Sequence, residues 1–146
     1  MNSSLVCVDA SLALAWFIFE DHSDRAESLR REWSEEGVQM VAPALFHAEV
    51  ASAIRKYVYF GRMVPDDGEE AFTLSEAIQI RTLDGPETRR KAWQLAGDFN
   101  LPVCYDMQYL AVAELHDCLL WTCDRRFVNT VRGKTDRVKW LGDYRA

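Results

Sequence analysis

Four carboxylates stand where an oxygen-ligated metal site would want them: Asp9, Glu49, Asp106 and Asp124. Asp9 ends the apolar run Leu5-Val6-Cys7-Val8, Asp106 ends Pro102-Val103-Cys104-Tyr105, and Asp124 ends Leu119-Leu120-Trp121-Thr122-Cys123. Each run is short, bounded and rich in β-formers, so each reads as a buried parallel strand. Ligands of open α/β sheets gather outside the carboxyl ends of the strands, so three strand-end aspartates are expected to meet there. Uncompensated anions at close range push protons onto one another, a cost that a divalent cation removes. All-oxygen ligation favours Mg²⁺ or Mn²⁺ over zinc.

Glu49 differs in lying inside a helical stretch. Its i−4 and i+4 neighbours are Leu45 and Ala53, which puts the carboxylate on an apolar stripe. A charge there needs a partner or a metal. The plain alternative is an ion pair with Arg55 or Lys56. For the strand-end aspartates the plain alternative is helix capping, since each is followed by a helical stretch.

Positioning these residues requires strands alternating with helices, which implies βαβ units and a parallel sheet. The pattern predicts helices over 10–19, opened by Ser11, over 22–36 with a stripe of Ala26, Leu29 and Trp33, over 43–60 starting at Pro43, and over 66–79, 86–100, 107–116 and 125–131. Further strands are expected at 38–42 and 138–141, with a short extended piece within 78–83. No repeat, linker or low-complexity tract divides residues 1–146, so one domain is expected.

At 146 residues with 49% hydrophobic content, the chain can bury a sizeable core and does not read as disordered. It contains no bilayer-length apolar run and no signal-peptide layout, so a cytoplasmic location and no membrane partner are expected. The four cysteines, Cys7, Cys104, Cys118 and Cys123, show no CxxC spacing and read as reduced thiols. The formal net charge is −6 but unevenly spread: residues 124–146 carry seven Lys/Arg against three Asp, a net +4, leaving −10 on the rest. That basic segment, with Arg125, Arg126, Arg132 and Lys134, begins beside Asp124. It could hold a phosphate backbone next to the acidic site, or be solvated surface. His22, His47 and His116 lack ligand spacing and read as ordinary surface or core residues.

Four blocks in order carry a family resemblance: Asp9-Ala10-Ser11, Pro43 to Val50, Tyr105 to Glu114, and Thr122 to Phe127. Together they resemble the PIN domain, and more closely the VapC-type ribonuclease toxins of prokaryotic toxin–antitoxin pairs. The resemblance implies a three-layer α/β/α fold around a central parallel sheet and Mg²⁺- or Mn²⁺-dependent endoribonuclease activity by a metal-activated water. It also implies a cognate small antitoxin and frequent homodimers. Residue by residue, the family's acidic site maps to Asp9, Glu49, Asp106 and Asp124, with Ser11 and Thr122 supporting the first and last Asp. Ser52 stands where the family often has Asn, which bears on supporting contacts rather than on the chemistry. Besides a PIN-like protein that has lost catalysis and serves as a binding partner, which the presence of all four acids does not support, two other readings are open: a PIN nuclease of RNA processing or DNA cleavage without an antitoxin, and a phosphoryl-switch module. The second lacks the paired acids after the first strand, and Asp124 holds the place its Lys would need.

Overall fold

A computed structural model describes residues 1–146. Its elements alternate in chain order: β1 (Leu5–Val8), α1 (Ala10–Phe17), α2 (Ser23–Glu35), β2 (Gln39–Pro43), α3 (Phe46–Tyr59), α4 (Pro65–Glu76), β3 (Arg81–Leu83), α5 (Pro86–Asp98), α6 (Tyr105–Leu115), β4 (Leu119–Thr122), α7 (Arg125–Val131) and β5 (Val138–Trp140). The strands form one wholly parallel sheet in the order β3-β2-β1-β4-β5. This is the three-layer α/β architecture that the alternating pattern predicts.

The order follows from burial. Val6, Cys7 and Val8 are all buried, so β1 must be covered on both faces and flanked on both edges. The weakly apolar β3 and β5 take the sheet edges. The chain steps outward from β1 through β2 to β3, then crosses back to place β4 on the other side of β1. Right-handed crossovers then put α1 to α4 over one face and α5 to α7 over the other. Packing agrees: α1 touches α2, α3 and α4, while α6 lies on α5 and on β1, β2 and β4. The direction of travel therefore reverses between β1 and β4, and the crevice outside their carboxyl ends is the place where such sheets bind ligands.

One expected strand is absent. The run Pro102 to Tyr105 forms a loop and the first residue of α6, so Asp106 lies in that helix's first turn rather than at a strand end. Both edges of β1 are occupied by β2 and β4. Pro102 has no N–H for a ladder, and Val103 is 53% exposed, which no central strand allows. Short apolar runs do not distinguish strand from loop or helix by periodicity. Smaller departures have similar causes. Pro43 ends β2 instead of opening α3, and Phe19 lies beyond α1, 92% exposed. The stripe Ala26, Leu29 and Trp33 is buried as expected. All four cysteines are free thiols.

Candidate functional site

Asp9 follows β1 and lies beside the end of β4: its N–H donates to the Trp121 carbonyl at 3.0 Å, extending the pairing of Val8 with Trp121. Although Asp9 occupies the residue before α1, its side chain makes no capping bond. Its Oδ2 instead accepts the Ser11 hydroxyl at 2.6 Å and the Thr122 hydroxyl at 2.7 Å. Ser11 is thus not a cap either. Its Oγ accepts the Cys123 N–H at 3.0 Å, while Thr122 Oγ1 accepts the Asp124 N–H at 2.9 Å. Two hydroxyls therefore tie the start of α1 to the end of β4 through one carboxylate oxygen. Thr122 is completely buried, so this link is shielded from solvent.

The other three acids are held differently. Asp124 does cap its helix, its Oδ1 accepting from Arg126 N–H at 2.9 Å and Phe127 N–H at 3.3 Å. Glu49 sits in the first turn of α3, half-buried, and its Oε1 accepts the Tyr109 hydroxyl at 2.7 Å. The alternative pairing of Glu49 with Arg55 or Lys56 is not formed. Asp106 is exposed and accepts no hydrogen bond from the protein. None of the protein's four ion pairs involves any of these carboxylates, so the cluster has no internal cation.

Its electrostatics show the cost. Burial pushes Asp9 up to about 6; the Ser11 and Thr122 bonds pull it down, and the charges of Asp106 and Asp124 raise it again. Glu49 is raised by burial, lowered by the Tyr109 hydroxyl, and raised further by Asp9 and Asp106. Asp106, though its side chain reaches solvent, is raised by the partial desolvation its neighbours impose and then by Asp124. These mutual repulsions tie the four acids into one electrostatic cluster at the carboxyl edge. Burial, Asp9 and Glu49 likewise hold the Tyr109 phenol well above its usual range, keeping it a neutral donor. Beside the cluster, burial and then Asp9 push the Cys123 thiol up to about 12.

The donor set suits a hard divalent cation. Asp9, Glu49 and Asp124 each have one oxygen fixed by the protein and a second, Asp9 Oδ1, Glu49 Oε2 and Asp124 Oδ2, that receives nothing from it. No buried side-chain oxygen or nitrogen in the protein lacks a partner, so these second oxygens face accessible space. One oxygen to orient the group and one to ligate is the division of labour that supported metal ligands use. No three His, Cys, Asp or Glu side chains stand close enough together, as placed here, to hold a metal ion among them. Carboxylate oxygens are the donors that Mg²⁺ takes, and it retains waters and needs few of them from the protein.

The basic segment is placed less tightly. Arg125 and Arg126 open α7 next to Asp124, both exposed, and the Arg125 guanidinium lies 4.3 Å from the Trp140 ring centre. Arg132 and Lys134 are exposed beyond α7, with Lys134 over the Phe99 ring at 4.8 Å. Ser52 is exposed on α3 and makes no side-chain hydrogen bond. His22, His47 and His116 bond to none of the acids. One residue of the site was given no role from sequence, Tyr109, which bonds Glu49. Its signal was the i, i+3 spacing from Asp106, which puts the two on one side of α6.

Comparison with known proteins adds an independent line. The PIN domain family model matches residues 6–133. A VapC ribonuclease of Mycobacterium bovis and the ribonuclease VapC9 of Mycobacterium tuberculosis are each 25% identical over 126 residues, covering 86% of this chain and 91% of theirs. Among solved structures, PAE2754 from Pyrobaculum aerophilum superposes with a TM-score of 0.66 at 22% identity, covering 94% of this chain and 89% of that one. A chain of a toxin-antitoxin complex from Klebsiella pneumoniae gives 0.65 at 17% identity, covering 97% and 99%. VapC20 of Mycobacterium tuberculosis, described as a sarcin-ricin loop cleaving toxin, gives 0.63 at 15% identity, covering 85% and 93%.

Proposed function

This chain is a member of the PIN-domain family, and on that premise we propose that it is a Mg²⁺- or Mn²⁺-dependent endoribonuclease acting as the toxin of a toxin–antitoxin pair. The observation that carries the reading is the acid cluster at the β1–β4 crevice, where fixed oxygens alternate with open ones. The names of its mycobacterial relatives support the ribonuclease assignment, and the Klebsiella complex supports an antitoxin partner.

Asp9, Asp106, Asp124 and Glu49 would hold the metal, which when bound supplies Lewis acidity toward water and the phosphodiester. The chain's own work is positional. Ser11 and Thr122 fix the Asp9 carboxylate, and Tyr109 fixes Glu49, so neither carboxylate has to be ordered when substrate arrives. Arg125 and Arg126 stand beside Asp124, where a phosphate backbone entering the crevice meets two cations. No side-chain nucleophile takes part. Partner proteins, an antitoxin or a second copy, have apolar surface to use: Phe72 and Leu74 of α4 are 42% and 52% exposed. No helix is long and apolar enough to cross a membrane; the cytoplasm as its location is part of the proposal.

The test is cleavage of a pool of small structured RNAs by purified protein in Mn²⁺, in Mg²⁺ and in EDTA, with Asp9→Asn in parallel. Cleavage that requires both metal and Asp9 supports the proposal. Cleavage persisting in EDTA, or in Asp9→Asn at the unaltered rate, refutes the metal assignment.

A further inference from the structure

A cleft of about 780 Å³ opens beside the acid cluster, between α1 and α3. Its walls are small or apolar, with Leu14, Ala48 and Ala53 among them, and Ser11 and Glu49 make it continuous with the Asp9 site. Two further lining residues have no function so far. Tyr105, immediately before Asp106, is 61% exposed, and its hydroxyl makes no hydrogen bond. Lys56 is the only cation on the lining; it is exposed and forms no ion pair. On α3 it lies two turns beyond Glu49, about 10 Å along the axis.

An exposed aromatic ring and an unpaired cation lining one largely apolar cleft is the combination that binds single-stranded nucleic acid. The base stacks on the ring and the backbone phosphate meets the cation. Charge decides the occupant here. The acidic cluster alone would repel a polyanion, and Lys56 is the cation of the lining that compensates it. A base can reach the Tyr105 ring only if it is unstacked, because a duplex keeps its bases inside. We propose that this cleft is a nucleotide subsite, in which Tyr105 stacks an unpaired base next to the scissile phosphate and Lys56 holds a neighbouring phosphate. A paired nucleotide is therefore excluded from this subsite. The inference rests on the ribonuclease reading above.

The experiment measures equilibrium binding of a stem–loop RNA in an Asp9→Asn background, with cleavage of the same RNA by the unaltered protein followed alongside. Tyr105→Ala is expected to weaken binding about 5- to 150-fold, the range a stacked base contributes, while Tyr105→Phe keeps the affinity. Lys56→Ala is expected to lower the slope of log affinity against log salt by about 0.7, and Lys56→Arg to restore it. A fully paired RNA of the same composition should bind more weakly and be indifferent to Tyr105. If the unaltered protein cleaves the stem–loop but the Tyr105 and Lys56 variants bind it as tightly as the parent, the subsite is overturned alone. The cleft is then left to a peptide segment of a partner protein. If the unaltered protein neither binds nor cleaves RNA with metal present, the ribonuclease reading fails and the subsite with it.

Discussion

Replacing Thr122 by valine isolates the hydrogen bond that holds Asp9. Thr122 is 0% exposed, and its hydroxyl donates to Asp9 Oδ2 at 2.7 Å while accepting the Asp124 N–H at 2.9 Å. Valine keeps the shape and leaves no cavity, so the hydroxyl is what changes. A hydrogen bond to a charged group contributes about 1.5–3 kcal/mol, and one pKa unit is 1.36 kcal/mol, so Asp9 should rise by about one to two units. It starts at about 6, already above the 3.8 of an unperturbed aspartate. In metal-free buffer the folded protein therefore binds more protons than the unfolded chain between these values. Stability contributed by Asp9 falls as pH rises from about 4 through 6 and then levels off. Thr122→Val should stretch that fall upward to about pH 7–8. The stability gap between parent and variant should widen by about 1.5–3 kcal/mol between pH 5 and pH 9, on top of a pH-independent loss at the Asp124 N–H. Urea unfolding at intervals of pH in EDTA measures it, with Thr122→Ser as the variant that keeps the hydroxyl. A gap that does not change with pH would refute the view that Thr122 stabilises the charged form of Asp9.

Two further outcomes follow from the same geometry. Tyr109→Phe removes the 2.7 Å bond to Glu49 while leaving the buried ring in place, and should cost about 10–100-fold in divalent-metal affinity with little loss of stability; unchanged metal affinity by calorimetry would remove Tyr109 from the site. Converting Arg125 and Arg126 to Gln should lower the salt slope of single-stranded RNA binding by about 1.4, and an unchanged slope would mark them as solvated surface.

Much of this was legible in the sequence, and the places where it was not are instructive. The runs of residues 5–8 and 119–122 read correctly as strands because each is short, rich in β-formers, buried or half-buried throughout and followed by helix-compatible residues, and their adjacency delivers Asp9 and Asp124 to one crevice. The run before Asp106 has the same composition, but its fate was decided by a non-local fact: both edges of β1 were already taken. Asp106 reaches the cluster from a helix turn instead, which no local pattern distinguishes. Glu49 was legible through its apolar stripe, yet its partner was not, since the Tyr109 hydroxyl comes from 60 residues away in the chain. The roles of Ser11 and Thr122 came from the family resemblance; spacing alone suggested a helix cap at Ser11, and only the parallel pairing of β1 with β4 shows why both hydroxyls meet on one carboxylate oxygen.

The central claim, that these carboxylates form one divalent-metal centre, is tested most directly by calorimetric titration of Mn²⁺ into the protein and into Asp9→Asn. The account predicts saturable binding at pH 7.5 that weakens as pH falls through about 6, where Asp9 takes up its proton, and that is lost in Asp9→Asn. Binding of equal strength in the two proteins, or binding indifferent to that pH window, would contradict it.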